Sequence, residues 1–250
     1  MHSTKYTIIF VLILTSVVAL LLTGFREGTK DMAIANEEIF NKRAILKAIS
    51  SELGTADKSV SVSDLADTDV EDIFNNKIEQ IALDMDGKKL SEADVQKSGY
   101  KGGKAIDIKM AKEKKKPEAE RILPLFVYQG NKEKIYIMSV IGSGLWDIIW
   151  GSIAVRSDES TLVGVNFDHA GETPGLGAEI KDNPKFPASY EGKKLYDAEG
   201  VYKGVIARKG GAVDKNHEVD GLSGATVTAD GVTEMVYRGV KYYEPYFKNN

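Results

Sequence analysis

The segment Asp220-Gly221-Leu222-Ser223-Gly224-Ala225-Thr226-Val227-Thr228 gathers small residues and hydroxyls directly ahead of a helical pattern. Glycine lets backbone approach a ligand closely, and a helix N-terminus turns unpaired N–H groups and the positive end of its dipole toward an anion. That chemistry suits a phosphate, either held non-covalently or esterified to one of the alcohols. The plainer alternative is that Ser223, Thr226 or Thr228 serves as an N-cap. Two other clusters share this mixture of glycine and function. Gly142-Ser143-Gly144-Leu145-Trp146-Asp147 is a turn between two apolar runs, with Trp146 either on a ligand or in the core. His169-Ala170-Gly171-Glu172-Thr173-Pro174-Gly175-Leu176-Gly177 is a tightly shaped loop that either exposes its amides to a ligand or is a rigid connection.

A flavin needs a flat, largely apolar slot, hydrogen-bond partners for its pyrimidine edge and an electropositive anchor for its phosphate. Leu145, Trp146 and Leu176 would supply the slot, the loop amides with Glu172 or Thr173 the polar edge, and the start of the last helix the anchor. The residues Asp220-x-x-Ser223-Gly224-Ala225-Thr226 resemble the flavinylation motif of FMN-binding domains in which FMN is joined to a threonine by a phosphoester bond. Gly144-Leu145-Trp146 and Glu172-Thr173-Pro174-Gly175-Leu176-Gly177 resemble the other two signatures of those domains, in the same order. The resemblance covers roughly the second half of the chain. It implies that Thr226 is the attachment residue and that a separate flavin transferase reads Asp220, Ser223, Gly224 and Ala225. It further implies cofactor contacts from Leu145, Trp146, Glu172, Thr173, Gly175, Leu176, Gly177, Ser223, Gly224, Ala225 and Thr228, with Thr228 bonding the phosphodiester. No catalytic acid, base or metal ligand is implied.

The elements that must position these clusters follow from composition and periodicity. The 250 residues are 42% hydrophobic and 28% charged, with a net charge of −4, enough for a proper core and without the basic surplus that nucleic acid demands. There is no cysteine, which excludes disulfides, thiolate nucleophiles and iron–sulfur clusters, and His2, His169 and His217 are too few for a multi-histidine metal site. From Tyr6 to Gly24 the chain is free of charge. About 20 such residues span a hydrocarbon core of about 30 Å, whereas the apolar part of a signal peptide is usually ~7–15 residues long. Leu22-Thr23-Gly24-Phe25 is a poor cleavage site, and Phe25 stands where a lipoprotein would need cysteine, so an uncleaved anchor is expected. Lys5 and the terminal amine before the span nearly balance Arg26 and Lys30 after it. With so short a leading tail, the large domain is expected outside, on the periplasmic side of an inner membrane.

Asp31 to Ser50 has helical spacing, Gly54 to Asp69 is polar, and Val70 to Leu83 resumes a helical pattern. The run Met110 to Arg121 carries dense mixed charge around Pro117 and reads as a solvated loop, with membrane-surface contact the lesser alternative. Beyond Ile122 come short strands at Pro124–Gln129, Ile135–Ile141, Ile148–Arg156, Leu162–Asp168 and Gly204–Lys209. They sit too close together for crossover helices, so the sheet should be largely antiparallel. A last helix, roughly Asp230 to Tyr246, carries Val232, Met235, Val236, Val240 and Tyr243 on one face. The expected fold is α+β: one N-terminal transmembrane helix, then a mixed, largely antiparallel sheet with packed helices. Three parts are expected, residues 1–25 as cytoplasmic tail and anchor, 26–121 as a helical or α+β N-terminal part of the extracytoplasmic region and 122–250 as the FMN-binding domain.

As a whole, the anchor, the long stretch after it and the flavin signatures resemble the flavin-bearing subunits of bacterial sodium-translocating NADH:quinone reductases. The related subunits of ion-translocating ferredoxin:NAD oxidoreductases share the signatures but are usually shorter. The resemblance implies an electron relay through covalent FMN, working among other membrane subunits. Two further readings compete: a membrane-anchored binding domain for a non-redox ligand, and a hydrolase using Ser223 or a threonine with His169 or His217 as base.

Overall fold

The computed structural model describes residues 3–53, 61–130 and 133–249, so His2 and residues 54–60 of the polar stretch lie outside the described residues. The chain divides into two bodies, Met1–Asn41 and Lys42–Asn250. The first is helical: helix α1 runs Thr4–Lys47, so the expected apolar span and the helix expected at Asp31–Ser50 form one element. Leu20, Leu21, Leu22 and Phe25 are each more than 60% exposed, and this is the one described helix long and apolar enough to cross a membrane. Such a surface is unfavourable in water and suited to lipid. Thr15 donates its hydroxyl to the Val11 carbonyl at 2.9 Å, which satisfies it within the helix where no water would be available.

In the second body, a five-stranded antiparallel sheet has the order β1-β2-β3-β4-β5. After helix α2 (Asp67–Lys77) come β1 (Ile78–Leu83) and the short helix α3 (Glu92–Lys97), then β2 (Leu123–Gln129), β3 (Lys134–Ser143), β4 (Ile148–Val155) and β5 (Leu162–His169). The strands expected between Pro124 and Asp168 are thus present, with ends shifted by a residue or two. The helical pattern expected over Val70–Leu83 holds only to Lys77. Ile78–Leu83 instead pairs with Tyr128–Leu123 as an edge strand, because its apolar side chains also satisfy the two faces of the sheet. Since β1 precedes residue 121 and β2 follows it, one sheet is built from both sides of the boundary drawn there from sequence.

Both faces of the sheet are covered, which is why β2 is buried from Leu123 to Tyr128. Alternate residues point to opposite faces. Leu123, Leu125 and Val127 join the core that holds Val232, Met235, Val236 and Val240, while Phe126 and Tyr128 join the one that holds Phe74 and Val70 of α2 together with Ile45 and Ile49. Phe126 and Phe74 lie with ring centroids 5.9 Å apart. The three layers bury the apolar surface that drives folding, at about 25 cal/mol per Å².

The expected strand at Gly204–Lys209 is shorter and lies off the main sheet. β6 (Ile206–Arg208) and β7 (Glu218–Asp220) form a separate parallel pair. The last helix, α4, spans Thr226–Lys241, starting four residues earlier than expected, and α5 (Glu244–Asn249) follows a break ahead of Pro245. Val232, Met235, Val236 and Val240 of α4 are buried, as their spacing required. The Met110–Arg121 run is not a plain solvated loop. Glu113 is completely buried and accepts hydrogen bonds from the Tyr100 hydroxyl and, at 2.9 Å, from the Ile122 amide, with Lys116 paired to it at 2.8 Å.

Candidate functional site

The topology brings the three clusters together. β3 and β4 are joined by a hairpin in which Ser143 faces Ile148, so Gly144–Asp147 forms its tip, closed by a Gly144 N–H to Asp147 carbonyl bond of 2.8 Å. β5 ends beside that tip, with His169 opposite Ile149, and releases the Ala170–Gly177 loop there.

One side chain ties all three. Glu172 is only 4% exposed; its Oε1 accepts the Trp146 amide at 2.9 Å and its Oε2 accepts the Thr228 hydroxyl at 2.6 Å. Burial alone would raise this carboxyl, but the Thr228 hydroxyl and the Trp146 and Asp147 amides outweigh it and hold the pKa below the usual glutamate value. Gly177 approaches so closely that a Cβ there would lie 2.2 Å from Glu172 Oε2 and 2.7 Å from Thr228 Oγ1, so no larger residue fits. Glu172 was expected at the flavin's polar edge, yet both its oxygens are already engaged within the chain. Thr228 was expected to bond the phosphodiester, yet its single hydroxyl proton goes to Glu172.

The motif helix starts without a cap. Gly224 adopts φ +76°, the left-handed region that glycine enters at no cost, and Ala225 takes the N-cap position with no side-chain hydrogen bond. None of the hydroxyls is therefore the ordinary cap that competed with the phosphate reading. Ala229 is the first residue of the helix to donate to a backbone carbonyl, at 3.0 Å to Ala225. Among the described residues the amides of Thr226, Val227 and Thr228 have no acceptor, and neither does the half-buried Thr226 hydroxyl have a partner. Such a cluster of free donors at a 16-residue helix start suits an anion.

A cavity of about 340 Å³ opens here, lined by Leu145, Glu172, Thr173, Leu176, Gly177, Lys209 and Gly224 to Thr228. Leu145, Leu176 and Val227 are each more than 40% exposed, which gives it an uncovered apolar wall. Trp146, Gly175, Ser223 and Asp220 do not line it. Trp146 is 68% exposed rather than in the core, and its indole N–H donates to the Thr173 hydroxyl at 3.1 Å. Free donors beside an apolar wall fit a phosphate-bearing flat ring.

Two lysines here escaped the sequence reading. Lys209 and Val227 line the cavity alongside the expected residues. Lys114, half-buried, donates to the Gly142 carbonyl at 2.8 Å and the Ser143 hydroxyl at 2.7 Å, bracing the base of the hairpin that carries Leu145 and Trp146. Burial, then the Arg121 charge, lowers its pKa from the usual lysine value. Lys114 was hidden in a charge run and Lys209 in a glycine turn. The histidines proposed as bases are engaged elsewhere: His169 Nδ1 accepts the Glu172 amide at 3.1 Å, and His217 Nδ1 lies 2.8 Å from the Lys194 carbonyl.

Fold and site define an FMN-binding domain, and the FMN-binding domain family matches residues 144–241. The chain belongs to the family of the C subunits of Na(+)-translocating NADH-quinone reductases. It is 31% identical to the C subunit of the Na(+)-translocating NADH-quinone reductase of Neisseria meningitidis serogroup A, over 96% of this chain and 92% of that protein. It is likewise 31% identical to the C subunit of the Pseudomonas aeruginosa reductase, over 94% of this chain and 91% of its relative. The crystal structure of the C subunit from Parabacteroides distasonis superposes with a TM-score of 0.71 at 32% identity, covering 88% of this chain and 98% of that one.

Proposed function

We propose that this chain relays electrons through an FMN esterified by its phosphate to Thr226. As a member of its family, the chain is an electron-transfer subunit of a Na(+)-translocating NADH-quinone reductase, an oxidoreductase complex. The observation that carries the finer reading is the Thr226 hydroxyl: half-buried, without a hydrogen-bond partner among the described residues, and set at the uncapped start of α4 on the wall of the cavity.

In the attachment step the Thr226 Oγ1 attacks the FMN-side phosphorus of FAD, brought by a flavin transferase with a divalent metal. The new O–P bond replaces the pyrophosphate P–O bond, AMP leaves, and the hydroxyl proton passes to the transferase. The resulting phosphodiester keeps one negative charge, which the amides of Thr226, Val227 and Thr228 are free to receive. A charge at a helix N-terminus gains roughly 0.3–1 kcal/mol when exposed and more when partly buried. Gly224, Ala225 and Ser223 leave room around the phosphate and form the surface the transferase reads. Leu145, Leu176 and Val227 supply the apolar wall, with Trp146 beside it and Thr173 and Gly177 at its polar margin.

When bound, FMN passes electrons singly between neighbouring carriers, with a potential set by its surroundings. The chain needs no general base for this, which agrees with its poverty in histidine. α1 anchors it in the inner membrane with Lys42–Asn250 on the periplasmic side, among the other subunits of the complex, and a tether there prevents loss of a cofactor that could not be replaced. The test is flavin transfer from FAD to the full chain in detergent, read by intact mass. One added FMN less water is expected on the wild type and none on Thr226→Ala; equal labelling of both would overturn the attachment site.

A further inference from the structure

We propose that Lys209 supplies the positive charge that receives the flavin phosphate, and that Asp220 acts by holding Lys209 in place. This rests on attachment at Thr226. β6 and β7 run parallel with Arg208 beside Asp220, so the two strands leave from the same end. One delivers Lys209 and the other delivers Gly221 to Thr226, and the Gly221 amide donates to the Arg208 carbonyl at 2.8 Å across the exit. The turn that follows Lys209 is pinned by Asp220, whose Oδ1 accepts the Ala212 amide at 2.7 Å.

Local acids do not claim the lysine. Glu218 is occupied by Arg208 at 2.6 Å and by the Val213 and Asp214 amides at 2.7 and 3.0 Å. Lys209 has no hydrogen bond or ion pair among the described residues, yet it lines the cavity and is the one cation that does so. The other charged group in that lining is the Glu172 carboxylate, which has no Lys or Arg within salt-bridge distance among the described residues. An arriving phosphodiester would add a second negative charge beside it. Lys209, with the free amides of α4, balances that charge. Asp220 therefore belongs to the motif through the turn it closes, and its carboxylate charge is incidental.

The test measures the initial rate of flavin attachment to the full chain in detergent, with transferase, FAD and Mg²⁺, by in-gel fluorescence. Lys209→Met should slow it roughly tenfold or more, the scale of one charge-assisted hydrogen bond, and Lys209→Arg should restore most of the rate. Asp220→Asn keeps an acceptor for Ala212 and should stay close to wild type, whereas Asp220→Ala should fall with Lys209→Met. The Lys209→Met, Asp220→Ala double variant should be no slower than Lys209→Met alone. Wild-type rates for Lys209→Met, or equal losses for Asp220→Asn and Asp220→Ala that multiply with the lysine change, would overturn the proposal. Flavin found by mass on Thr226→Ala would overturn the attachment reading instead, so the two failures are distinct.

Discussion

Glu113 and Glu172 are both buried carboxylates that hold loops, and the contrast between them separates scaffold from site. Glu113 takes a hydroxyl, an amide and the Lys116 ammonium, so its charge is neutralised where it stands. Glu172 takes a hydroxyl and amides alone, and its charge remains in the cavity. A buried charge closed by a cation fixes geometry. One closed by neutral donors fixes geometry and leaves a field that a ligand must meet. The cavity against α4 beside Glu113 illustrates the first case: at about 330 Å³ it is as large, but its Arg238 pairs with Glu234 and its Glu118 accepts from Tyr242.

The comparison is open to attack at both ends. Glu113→Ala strands a buried hydroxyl, an amide and a lysine, and should cost about 3 kcal/mol in denaturant unfolding with little effect on the rate of flavin attachment. A variant of wild-type stability would remove Glu113 from the scaffold. Glu172→Ala should cost less, about 1–3 kcal/mol, but should depress flavin attachment strongly because all three clusters lose their common tie. Equal effects on attachment from both glutamates would erase the distinction. Lys114→Met, which frees the base of the β3–β4 hairpin, should cost about 1 kcal/mol and shift the flavin absorption spectrum while attachment stays complete. An unchanged spectrum would show that the hairpin needs no brace.

The smallest effect concerns acid. The Val213 and Asp214 amides, then Arg208, lower Glu218 from 4.5 to about 2. Because its folded value is depressed, its contribution is fully present above 4.5 and is lost as pH falls toward about 2. Hydrogen exchange of the 206–220 amides should therefore accelerate across that window, and Glu218→Gln should flatten the response. Exchange independent of pH after correction for intrinsic rates would contradict it.

Much of this was legible in the sequence. Close-set β-branched runs mark β2 to β5, and the spacing of Val232, Met235, Val236 and Val240 marks the inner face of α4. Ile78–Leu83 misleads because its apolar residues satisfy helical and strand periods alike, and only pairing with β2 decides between them. The three clusters were visible as motifs, but their joining was not. A glutamate in a glycine-rich loop looks solvated until the fold buries it, and nothing local tells that Thr228 gives its proton to Glu172. Lys209 was invisible for the same reason, since its neighbour in space is delivered by a second strand.

The central claim is that Thr226 carries the flavin, and intact mass of the full chain after co-expression with its transferase tests it most directly. One FMN less water is expected on the wild type, mapped to Thr226 by fragmentation, and the unmodified mass on a folded Thr226→Ala variant. The same added mass on Thr226→Ala, or flavin mapped to Ser223 or Thr228 in the wild type, would contradict it.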